Sequence, residues 1–218
     1  MEKYLKSTFF FDFEKENVQE FIKDLLASAE NPIEKAKKLY LRVRDGFMYN
    51  PYKIVLHPDA LRLSYLITKN YGYCVEKSII MAGLARAMGI PSRLGFANVR
   101  NHLGTEKIER IQGTNVLVFH GYCELYLNGK WVKATPAFNK ELCQKFGVEP
   151  LEFNGLEDSI FQPYNAEGNV FMEYLKDHGT FEDMPFELFK SEFQSYYGHL
   201  VGQKIEDMYV TEKFPIDL

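Results

Sequence analysis

Cysteine is scarce in this chain: Cys74, Cys123 and Cys143 are the only three in 218 residues. An odd count at unpatterned spacings argues against a disulfide framework and suits a reducing, cytoplasmic setting. None sits in a C-x-x-C or Cys/His pattern and no D-x-D-x-D-G-like loop is present, so neither a metal nor any other cofactor is expected. Long apolar runs are also missing, so no membrane span is expected. The patch in MEKYLKSTFFFDFEKEN is too short and too acidic for a secretory signal. Lys and Arg number 26 against 30 Asp and Glu, for a net charge of -4, and they are scattered. That leaves no basic stripe for nucleic acid or an anionic membrane. Repeats, low-complexity tracts and Gly/Ser linkers are absent too. The chain has the length for one well-packed domain with an appendage, and its sequence does not set the oligomeric state.

What is present is organised around Tyr71 to Arg93, YGYCVEKSIIMAGLARAMGIPSR. Helix formers dominate Val75 to Met88 and polar residues there are few, which predicts a central, covered helix with Gly83 tolerated inside it. Gly89 and Pro91 end it. Cys74 then falls in the first turn, where unpaired N–H groups and the helix dipole favour a thiolate near neutral pH. The competing reading is a buried cysteine that only fills space.

Before this stretch, Thr8 to Phe13 reads as a strand, Asn17 to Ala27 and Pro32 to Val43 as amphipathic helices, and Leu61 to Thr68 as a short apolar lead-in. After it, Arg93 to Val99 reads as a strand and Asn101 to Gln112 as a loop. Val116 to Leu127 is a strong strand, Asn128-Gly129 a hairpin turn, and Trp131 to Ala134 the return. Setting Leu127 against Lys130 places Tyr126 opposite Trp131, Glu124 opposite Lys133, Tyr122 opposite Thr135 and His120 opposite Ala137. His120 and Thr135 become diagonal neighbours, and Glu124 is expected to pair with Lys133. Cys123 reads as core and Cys143 as a residue with no task. From Gly147 the chain is loop-rich and acidic; Phe171 to Lys176 and Phe186 to Tyr197 read as short aromatic helices packed back on the domain.

A cysteine at a helix start with a histidine on a strand about 46 residues later suits acyl transfer, in which imidazole takes the thiol proton and the thiolate attacks a carbonyl. GYCVEKSIIMAGLARAMGIPSR resembles the core motif of the transglutaminase-like superfamily, and HGYCELYLNGKWVKATP resembles its second motif, H-x-W-x-E-x-Y followed by a turn, a Trp and Asp-Pro. The resemblance implies an α+β, papain-like domain with N-terminal helices, a central nucleophile helix and an antiparallel β-sheet. It spans residues 1–145, with 146–218 an aromatic-rich extension packed on the same domain. It further implies Cys74 as nucleophile and His120 as base and acid, acting on a peptide or protein amide without a cofactor. Hydrolysis comes first, amine transfer second, and a silent peptide-binding module is the alternative from another class. Thr135 stands where the family has Asp, so the residue that orients His120 is Thr135 itself, Asn139, or Asp158 arriving from the tail; the register excludes Lys133. Tyr122 takes the place of the family's Trp.

Overall fold

The structure is a computed structural model and describes residues 1–27, 31–102, 106–160, 172–206 and 208–214. Its elements in chain order are α1 (Glu16–Ala27), α2 (Pro32–Gly46), β1 (Met48–Tyr49), β2 (Lys53–Val55), α3 (Leu63–Leu66), β3 (Tyr71–Gly72), α4 (Cys74–Ala87), β4 (Ser92–Asn101), α5 (Glu106–Gln112), β5 (Val116–Leu127), β6 (Lys130–Ala134), α6 (Lys140–Lys145), β7 (Met172–Phe181), α7 (Phe186–Tyr197), β8 (Lys204–Ile205) and β9 (Met208–Thr211). The fold is α+β: an antiparallel sheet in the order β6-β5-β4-β7 lies against α4, and α1, α2 and α3 cover the rest of that helix. Two small sheets, β1-β3 and β2-β9-β8, fasten the chain around the start of α4.

α4 is buried from Cys74 to Arg86, as a helix with few polar residues must be. Each charge it carries is matched. Glu76 accepts from Lys69 Nζ at 2.6 Å and from the Tyr73 amide at 3.2 Å. Lys77 Nζ donates to the carbonyls of Arg44 and Phe47, both at 2.8 Å, closing the C-terminal end of α2. Arg86 donates to the carbonyls of Lys6 and Ser92, each at 2.9 Å, and of Glu182. Gly83 is needed for contact, not merely tolerated: a Cβ there would stand 2.8 Å from Leu63 Cδ2 and 3.1 Å from Phe11 Cδ1. The helix stops in a Schellman arrangement, Ile90 N to Ala85 O and Gly89 N to Arg86 O, both at 2.9 Å, with Gly89 at φ +78°.

The hairpin register is the expected one from Leu127–Lys130 to Glu124–Lys133, turning through Asn128 and Gly129 at positive φ. Several expectations are corrected. The pairing ends at Cys123–Ala134, so neither Tyr122–Thr135 nor His120–Ala137 joins the ladder. Pro136 has no N–H to donate, and the Thr135 carbonyl instead accepts from Tyr40 Oη at 3.2 Å. Glu124 faces Lys133 in register but pairs with Arg93, whose Nε lies at 2.6 Å; Lys133 Nζ sits over the Tyr122 ring. Ser7 to Phe13 is a turn and not a strand, because Thr8 Oγ1 accepts the Phe11 amide and Asp12 collects Arg62 and the Ser64 amide. Residues 106–112 form α5 within the expected loop. Residues 172–181, the first part of which read as a helix, are strand β7, drawn into the sheet by the open edge of β4. Phe171 and much of the acidic loop, from 161 onward, lie outside the described residues.

Candidate active site

Cys74 owes its place to both flanks of its helix. Pairing of β3 with β1 brings Tyr73 to the N-cap with Tyr49 alongside. On the opposite flank comes β5, whose Gly121 lies against the helix start: a Cβ there would meet Val75 Cα at 3.0 Å and Cys74 O at 3.2 Å. Only glycine permits that approach. The backbone N–H groups of Gly121, Val75 and Cys74 itself favour the thiolate. His120 immediately precedes Gly121, so the strand carries the imidazole's residue up to the thiol.

The strand is deformed just before this point. Between the pairs Ala97–His120 and Val99–Leu117, β5 has one residue more than β4, a bulge. Phe119 takes φ +56°, a conformation that costs a bulky residue about 1–3 kcal/mol. Its amide donates to Asn98 Oδ1 at 2.9 Å, and the same oxygen lies 2.9 Å from His178 Nε2. The Phe119 ring packs at 4.3 Å on Phe96 and at 5.6 Å on Phe189 of α7. His178, a loop residue with no evident partner in the sequence, thus supports the bulge that presents His120.

Ionisation of the two groups departs from the sequence expectation. Cys74 is 6% exposed and His120 1%. Burial pushes the Cys74 thiol up to about 11, outweighing the N–H groups that favour its thiolate. Burial pulls the His120 imidazole down to about 3. The helix start does stabilise negative charge, but desolvation is larger, so the resting form is neutral thiol with neutral imidazole.

The candidates for the third member are dispersed. Thr135 is buried, and its Oγ1 has no hydrogen-bond partner among the described residues. Asn139 accepts the Tyr49 amide at 3.1 Å and lies 3.6 Å from Met48 Sδ, so its side chain fastens β1. Asp158 is exposed and accepts the Lys133 amide at 2.9 Å, extending the edge of β6. Cys123 is core, and Cys143 is buried in α6. Among the described residues no three of His, Cys, Asp and Glu gather as a metal site, and no helix is long and apolar enough to cross a membrane.

A cavity of about 40 Å³ opens on Cys74. Tyr49, Tyr73 and Gln112 line it from the core side, and Phe189, Phe193 and Tyr197 of α7 form the opposite wall. Tyr73 Oη and Gln112 Oε1 are buried in it and have no hydrogen-bond partner among the described residues. Tyr197 Oη is held by the β5 backbone, accepting from Val118 N at 3.1 Å and donating to Val116 O. Sequence reasoning missed Gly121, Asn98 and Gln112. The His-Gly dipeptide was a signal for the first; the other two have none.

The class these features define is a cysteine-centred α+β domain of papain-like architecture. The family model of the transglutaminase-like superfamily matches residues 19–136, just over half of the chain, and the protein belongs to that superfamily. No curated protein matches it. Among solved structures it is similar to a candidate cysteine protease from Cytophaga hutchinsonii, with 15% identity, a TM-score of 0.48, and 82% of this chain and 53% of that one covered. It is also similar to a candidate protease from Parabacteroides distasonis, with 18% identity, a TM-score of 0.37, and 54% and 22% covered. The chain spans about half the length of the first of these.

Proposed function

We propose that the protein is a thiol-dependent amide hydrolase in which Cys74 is the nucleophile and His120 the base. The observation that carries this reading is the junction at Gly121, where a histidine-bearing strand is pressed by a side-chain-free residue onto the first turn of the cysteine-bearing helix. Because burial favours neutral forms of both groups, proton transfer accompanies attack. The imidazole takes the Sγ proton as sulfur bonds to the amide carbon. The imidazolium returns that proton to the departing amine, and water then cleaves the thioester with His120 again as base. The Cys74 N–H is the nearest donor for the developing oxyanion. Thr135 in place of a carboxylate leaves the imidazolium with less support, which favours modest turnover.

The test is the pH dependence of Cys74 alkylation, read by mass spectrometry on its peptide. His120→Ala is expected to lower the rate at pH 7 by about tenfold or more while sparing the alkaline limb. An unchanged rate at pH 7 would leave the second reading, a silent peptide-binding module, which the uncharged Thr135 favours. If the base is confirmed, mass analysis of products formed with and without an added primary amine separates hydrolysis from acyl transfer.

A further inference from the structure

The cavity beside Cys74 has a composition that says what it can hold. Its walls are aromatic and aliphatic, and no charged side chain lines it among the described residues. Within it two polar groups are left over: the Tyr73 hydroxyl, on a residue 5% exposed, and the Gln112 carboxamide oxygen, on a residue 6% exposed. Leaving such a group buried and unpaired costs about 1–3 kcal/mol, so two in one cavity call for an occupant. A hydroxyl and a carboxamide each offer both a donor and an acceptor, and the complementary ligand carries both as well. At 10–15 Å³ for one water, a cavity of about 40 Å³ holds roughly three waters, the size of a molecule of three or four heavy atoms. Absence of a cation in the walls argues against a carboxylate, and absence of an anion argues against an ammonium group.

We propose that this cavity binds a small uncharged group with a donor and an acceptor, a primary carboxamide above all, and that Tyr73 and Gln112 determine that specificity. The inference rests on Cys74 being the reacting group. It names the kind of substrate: a short amide, or the tip of a longer molecule, because Phe189, Phe193 and Tyr197 close the far wall to a chain passing through.

The test uses the full chain, with iodoacetamide as reagent and acetamide as the occupant. Alkylation of Cys74, followed on its own peptide, is expected to saturate with iodoacetamide and to be slowed by acetamide but not by sodium acetate at equal ionic strength. Tyr73→Phe and the shape-conserving Gln112→Glu each raise the half-protecting acetamide concentration by about tenfold, with circular dichroism confirming the fold. Equal protection by acetate, no protection by acetamide, protection unchanged in both variants, or a native Cys74 closed to iodoacetamide would each overturn the proposal. The first three of those results leave the role of His120 untouched. Loss of the His120 dependence at pH 7 with acetamide protection intact would instead overturn the hydrolase and keep the pocket.

Discussion

Gly121 is the residue on which the site depends most closely. Adding one methyl group there meets backbone on the α4 side, and backbone cannot rotate away. Gly121→Ala is expected to cost about 1–3 kcal/mol in urea denaturation and to move the apparent titration of Cys74 as the strand's N–H withdraws. An unchanged titration would mean that the strand does not bear on the thiol. At this scale the sequence was partly legible. Cys74 could be assigned to the helix start from helix propensity and the Gly-x-Cys turn, because those are local effects. Its ionisation could not, because desolvation is the sum of what the rest of the chain packs around it. Thr135 likewise looked like a neighbour of His120 only while the ladder was extrapolated past Pro136.

Among the elements, α7 has the clearest effect on the site. Its buried residues Phe189, Phe193 and Tyr197 recur at a spacing of four, one face of a helix, and that face seals the cavity. Phe193→Ala removes part of the seal. It is expected to lower stability by about 3–5 kcal/mol at most and to speed Cys74 alkylation several-fold at neutral pH, read against Phe186→Ala as a control. Equal rates in the two variants would show that α7 does not gate the thiol. The helix itself was readable from its periodicity, whereas β7 was not. Residues 172–181 gain strand structure from the edge of β4 and not from their own preferences, and that edge is remote in sequence. The bulge at Phe119 was hidden for a similar reason, since it depends on Asn98 in the neighbouring strand.

Across the whole molecule, two buried bases shape the pH dependence of stability. His120 titrates at about 3 in the fold against about 6.5 in an unfolded chain, so the unfolded form binds the extra proton between those values and stability falls as pH drops below 6.5. Lys77, held by burial down to about 7, works in the same sense from pH 10 to pH 7. The buried thiols act oppositely above pH 9, because the folded state keeps protons that the unfolded state releases. Stability is therefore expected to peak in the mildly alkaline range. On the acid side His120 contributes up to about 1.4 kcal/mol per pH unit. Urea midpoints at pH 4.5 and 6.5 check this: the fall should shrink in His120→Gln, and an equal fall in both proteins would exclude His120 as its source. The α+β class and the order of the main helices were legible from patterning. The small sheets that gather β1, β2, β8 and β9 were not, being two to four residues long and joined across most of the chain.

The Tyr197 hydroxyl has a consequence for where the catalytic unit ends. Bonded to both Val116 O and Val118 N, it occupies the place of a neighbouring strand on the side of β5 that β6 never reaches. One phenol from some eighty residues downstream thus serves as the last rung of the sheet and denies that edge to other chains. The boundary at residue 136, where the family resemblance stops, is accordingly not a boundary of the folded object. Chemistry assigned to the family's part is insulated by a side chain that belongs to the part outside it.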